Sequence, residues 1–163
     1  MTIRAISRDP CGLVILGDRT PAQSSLDVLD HGSLDQVPRV VLATSDATTA
    51  EIAAVQLPRL QGLNPTRVVL QLGGRDLVDG YDESYFHARV VEICDAIAHA
   101  APDAEVGLVA IPPFSSGPEP SVSPELAALR RQCNAAAEIT AQLRHFRWWQ
   151  DLSTATPRRP ARP

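Results

Sequence analysis

The sequence predicts an α/β fold built on a parallel sheet with helices on both faces. Three observations lead there. Five short apolar runs are separated by stretches with helical spacing. The first, third and fourth runs are closed by Gly or Pro, as suits strands buried on both faces. The length, 163 residues, suits one domain with a full core. Strand–helix alternation repeated along a chain gives parallel pairing, because parallel neighbours need a crossover between them.

The first run is "GLVILG" (12–17), ended by Gly17. "PRVVLAT" (38–44) is the second, and "TRVVLQLGG" (66–74) the third, closed by two glycines. "AEVGLVAIPP" (104–113) stops at two prolines, and "RHFRWWQDL" (144–152) is the fifth. A helix is expected over 48–63, with Thr caps and Ile52, Val55 and Leu60 on one side, and with Pro58 kinking or breaking it. Another is expected over 81–100, where Phe86, Val90, Ile93 and Ile97 recur at helical spacing. The third, 123–143, opens with Ser123 as cap and Pro124 in the first turn. Its Leu126, Leu129, Cys133, Ala137 and Leu143 fall roughly on one face. Residues 1–155 form a single domain in this reading, and the Pro/Arg-rich 156–163 is a disordered tail.

Composition narrows the function. The net charge of −4 disfavours non-specific binding to nucleic acid or to an anionic membrane. No apolar run is long enough for a transmembrane helix, and the N-terminus lacks a signal-peptide core, so a cytoplasmic location is expected. Cys11, Cys94 and Cys133 are too widely spaced for a disulfide framework or a metal knuckle. His31, His87, His99 and His145 show no metal-ligand spacing, so no metal or other cofactor is expected. All 15 basic residues are arginine. The absence of lysine excludes a Walker phosphate loop, a pyridoxal-phosphate Schiff base and a lysine nucleophile.

In open parallel sheets the site lies beyond the carboxyl ends of the strands. The candidate residues are therefore Asp18, Arg19 and Thr20; Ser45 and Asp46; Gly74, Arg75 and Asp76; Phe114 and Ser115; and Asp151 onward.

Four of these blocks carry a family resemblance. "VILGDRT", "ATSDATTAEI", "VVLQLGGRDL" and "RRQCNAAAEITAQL" followed by "FRWWQDL" resemble, in order, the blocks of the SGNH (GDSL-type) hydrolases. The resemblance implies a flavodoxin-like three-layer fold with strand order 2-1-3-4-5. It also implies a site of known chemistry: a serine nucleophile, an oxyanion held by a glycine amide, an asparagine amide and the serine's own amide, and a histidine base in an Asp-x-x-His. Matched position by position, the serine place holds Arg19, the glycine place Asp46 and the asparagine place Arg75. "DLST" (151–154) can be read as that motif with Thr154 for histidine, but Asp151 matches better the strand-end aspartate that precedes the family's histidine loop, so the histidine block itself is expected to be absent. Thr20 is one position past the nucleophile place, which turns its side chain by about 100°. His31 and His145 precede strands and belong at the opposite edge of the sheet.

In that strand order Arg19, Asp46 and Arg75 face one volume, so a guanidinium–carboxylate–guanidinium cluster is expected. Gly17 provides the sharp exit from the strand, and Asp18 accepts backbone amides at a helix entry. Three functions are compatible. The first is a pseudo-hydrolase whose former active site binds a small anionic or carbonyl-bearing molecule or a protein partner. The second is a non-hydrolytic biosynthetic enzyme (cyclase, isomerase or lyase) with Asp18 or Asp46 as acid/base and the arginines stabilising negative charge. The third is a residual esterase.

Overall fold

A computed structural model of the chain describes residues 11–18, 38–113 and 123–150. The expected domain limit at 155, the tail, Arg19, Thr20, Phe114, Ser115 and Asp151 lie outside the described residues.

Five strands form one parallel sheet: β1 (Cys11–Gly17), β2 (Arg39–Val41), β3 (Pro65–Gln71), β4 (Glu105–Val109) and β5 (Arg147–Trp149). Their order is β2-β1-β3-β4-β5, as the resemblance implies. The register sets Val14 against Val68 and Val68 against Val106, so β-branched residues stack across the middle of the sheet.

β2 to β5 are shorter than their apolar runs, for local reasons. Beyond Val41 the chain still follows β1, but Leu42 and Ala43 both donate to the Ile15 carbonyl, so the regular ladder is lost. The run after Gln71 is taken by a short helix, α2 (Gly74–Val78), which sequence spacing did not suggest. Before β5, His145 adopts a left-handed φ of 57°, and the Phe146 amide bonds back to the Ala141 carbonyl, so the turn consumes 144–146.

The long helices lie where the periodicity places them: α3 is Glu83–Ala100 and α4 is Pro124–Leu143, capped by Asp82 and Ser123. The first helical stretch, α1, is composite. An α turn (Thr49–Glu51) with a Thr48–Glu51 capping box leads into a π segment (Ile52–Gln56) and then an α segment (Leu57–Leu60). Pro58 therefore does not break the helix. It has no N–H to donate to the Ala54 carbonyl, and its ring would clash with that carbonyl in an α register; the wider turn just before it absorbs the misfit. The π segment also shifts the buried face: Ile52, Gln56, Leu57 and Leu60 point inward, while Val55 is 58% exposed. In α4 the inward line runs Cys133, Ala137, Ala141, and Leu143 is solvent-exposed rather than on that face.

The described helices cover one sheet face. Val14, Leu16, Val68, Leu70, Val106 and Leu108 meet Ile52, Leu60, Phe86, Val90, Ile93, Ile97 and Cys133 there. On the other face Leu13, Ile15, Val69, Val109 and Trp149 are also buried.

Candidate functional site

The exits of β1, β2 and β3 meet at the carboxyl edge of the sheet. Asp18 is the hub. Its amide donates to the Gln71 carbonyl (3.0 Å), its carbonyl accepts the Asp46 amide (3.0 Å), and its carboxylate accepts the Gly74 amide at 2.6 Å. Gly74 is the first residue of α2, so the amide that Asp18 accepts belongs to a helix across the site; the helix entry expected just after Asp18 lies outside the described residues. Only 6% of Asp18 is exposed, and a buried carboxylate is stable only when satisfied in this way.

Gly17 must be glycine. Its φ is +141°, and a Cβ there would lie 1.7 Å from the Gln71 carbonyl oxygen. Asp46, at the turn after β2, has a φ of 62°. This left-handed conformation disfavours side chains generally and is tolerated best by Gly, then Asn and Asp. The position that the resemblance gives to glycine thus keeps a glycine-like backbone while carrying a carboxylate.

Asp76, completely buried, fixes the start of α1. Its carboxylate accepts the Thr49 amide (3.0 Å) and the Thr49 hydroxyl (2.7 Å). Two side-chain amides brace the strand exits from behind. Gln56 accepts from the Gly17 amide (2.8 Å) and donates to the Gly17 carbonyl (2.9 Å). Asn134 accepts from the Ile111 amide (2.8 Å) and donates to the Ile111 carbonyl (3.1 Å).

Arg75 is paired differently from the expected cluster. Arg75 makes a two-pronged contact with Asp79, one turn along α2, at 2.9 and 2.7 Å. That contact, more than the weaker pull of Asp46 and Glu51, holds the guanidinium charged. Asp46 therefore attracts Arg75 from a distance but does not bridge it, because an i, i+4 partner on the same helix is nearer. Arg19 lies outside the described residues. A guanidinium–carboxylate–guanidinium arrangement does exist at the opposite edge of the sheet, where Glu105 pairs with Arg67 on β3 and Arg147 on β5. Glu51, held by the Thr48 amide and hydroxyl, has its carboxyl pKa lowered and stays ionised.

Beside the hub lies an open groove of about 190 Å³ lined by Thr44, Ser45, Asp46, Ala47, Glu51, Val55 and Gln56. The structure thus brings Asp18, Asp46 and Gly74 into one hydrogen-bonded unit, and places Ser45 on the groove wall. Asp76 serves the frame behind it. No histidine joins the site among the described residues: His145 precedes β5, at the far edge, as expected. Neither a group of three or more potential metal ligands nor a helix long and apolar enough to cross a membrane occurs among the described residues. Gln56 and Thr49 were not foreseen as site residues. A polar residue at 56, in i+4 register with Ile52 and Leu60, is the signal that points to Gln56.

Residues 17–160 match the model of the GDSL-like lipase/acylhydrolase family. The chain belongs to this family. Solved structures agree on the fold. The GDSL-like chain is similar to an extracellular lipase of Streptomyces rimosus (19% identity, TM-score 0.60, covering 84% of this chain and 78% of that one). It is also similar to a lipase/acylhydrolase of Enterococcus faecalis (16%, 0.64, 88% and 77%). A third is the SGNH-hydrolase family esterase AlinE4 (16%, 0.63, 93% and 82%). No curated protein matches the sequence.

Proposed function

We propose that this GDSL-like domain is a pseudo-hydrolase that uses the former active site to bind a small molecule. One observation carries the reading. The hub of the site is intact, with Asp18 joined to Gly74 and Asp46, yet the residue that follows it in the chain is Arg19, which cannot attack an acyl carbon. Two further features support it. The Asp46 amide, which stands at the family's oxyanion glycine, donates to the Asp18 carbonyl. Arg75, at the oxyanion asparagine, has its Nε and Nη2 engaged by Asp79. Acyl transfer needs donors aimed at the developing oxyanion and a nucleophile beside a base.

Of the ligand types that arginine forks suggest, a carbonyl-bearing molecule fits better than a bare anion. Asp46 and Glu51 line the groove and would repel an anion, and Arg75 is already charge-matched. The experiment is an assay with p-nitrophenyl esters from acetate to decanoate. The expected result is release no faster than with the Asp18→Ala variant. Saturable turnover by the wild type, lost in that variant, would establish an esterase and overturn the proposal.

A further inference from the structure

The π segment of α1 has one polar residue facing the core. Gln56 is 2% exposed, and both ends of its amide are bonded to the backbone of one residue, Gly17. β2 has left the regular ladder here: among the described residues, the Gly17 carbonyl accepts the Thr44 amide from that side, at 3.1 Å. The side chain thus acts as a one-residue strand: it accepts the Gly17 N–H and adds a second donor to the Gly17 carbonyl beside the Thr44 amide. The wide turn at Ile52–Gln56 gives the geometry, because it lets Gln56 and its neighbour Leu57 both face inward.

We propose that Gln56 is the positioning residue of the site: it fixes the plane of Gly17 and so aims Asp18 at Gly74 and Asp46. The wall of the groove and the exit of β1 are then one mechanical unit, since Gln56 belongs to both. This goes beyond the proposed function and holds whether or not the domain hydrolyses esters.

The test compares full-length wild type, Gln56→Leu and Gln56→Glu by amide NMR at pH 4 and pH 7.5. Leucine fills the space but cannot pair with Gly17. A protonated glutamic acid offers one donor and one acceptor, like glutamine, whereas the carboxylate has no donor for the Gly17 carbonyl. Burial of that carboxylate raises its pKa above the usual value of about 4.3, so the neutral form predominates in the folded protein at pH 4. Among the described residues, Asp18, Asp46, Glu51, Arg75 and Asp76 are the ionisable groups at the site, and all five are common to the three proteins, so each variant is compared with wild type at the same pH. The expected result has two parts. In Gln56→Leu, Gly17 exchanges roughly tenfold faster or more, as loss of one buried hydrogen bond implies, and the Gly74 and Asp46 amide resonances move at both pH values. In Gln56→Glu those two resonances are displaced at pH 7.5 and return to wild-type positions at pH 4. The Ile111 amide, held by Asn134, stays constant throughout. If Gln56→Leu leaves Gly74 and Asp46 in place, or if Gln56→Glu is displaced equally at both pH values, the proposal is overturned. Ester turnover plays no part in this readout, so its failure and the failure of the pseudo-hydrolase reading are separable.

Discussion

The Asp18 carboxylate and the Gly74 amide, 2.6 Å apart, tie the exit of β1 to the first turn of α2. The acceptor is charged and buried, so removing it leaves an amide unsatisfied. Asp18→Ala should lose about 1–3 kcal/mol in urea unfolding, and Asp18→Asn, which keeps an acceptor, clearly less. Equal losses would mean that the bond contributes nothing beyond space filling.

Asp46 sits at φ 62°. Asp46→Gly relieves the left-handed strain, while Asp46→Ala keeps a Cβ without the local polar compensation that aspartate provides. Thermal unfolding should rank the alanine variant about 1 kcal/mol below the glycine variant. Identical stabilities would contradict the backbone geometry. Because Arg75 pairs with Asp79, Asp46 and Arg75 should be nearly additive in a double-mutant cycle.

The Thr49 hydroxyl donates to the buried Asp76 carboxylate at 2.7 Å. Thr49→Val keeps the shape and deletes the donor, and should cost about 1.5–3 kcal/mol by chemical denaturation. A loss below about 0.5 kcal/mol would show that the amide bond from Thr49 suffices.

Much of this was legible in the sequence. The cap Ser123 with Pro124, the inward line Phe86, Val90, Ile93, Ile97, and the strand exits at Gly17 and Gly73–Gly74 all follow from local spacing and turn chemistry. Val55 was misplaced because a π segment breaks the 3.6-residue period on which the spacing rests. Leu143 was misplaced because α4 ends in solvent. The Arg75–Asp46 bridge failed for a different reason. Strand order brings the two loops together, but the short helix α2, which places Asp79 within reach of Arg75, has too few residues to leave a periodic signal.

The two described-core thiols give a pH prediction. Burial pushes Cys94 and Cys133 up to about 12, so neither is a nucleophile at neutral pH. A raised thiol pKa stabilises the fold fully below the ordinary value near 9, and that contribution is lost as pH rises from there towards 12. In a Cys11→Ser background, Ellman's reagent at pH 8 should react only as fast as the protein unfolds. Rapid reaction of either thiol in the folded protein would contradict its burial.

The most direct measurement concerns the nucleophile place itself. The pure protein is incubated with a fluorophosphonate probe, and its intact mass is read alongside that of a family esterase as positive control. The account predicts an unmodified mass for this chain, because the residue after Gly17-Asp18 is arginine. Stoichiometric addition of one phosphonyl group, mapped to Thr20 or to any serine, would contradict it.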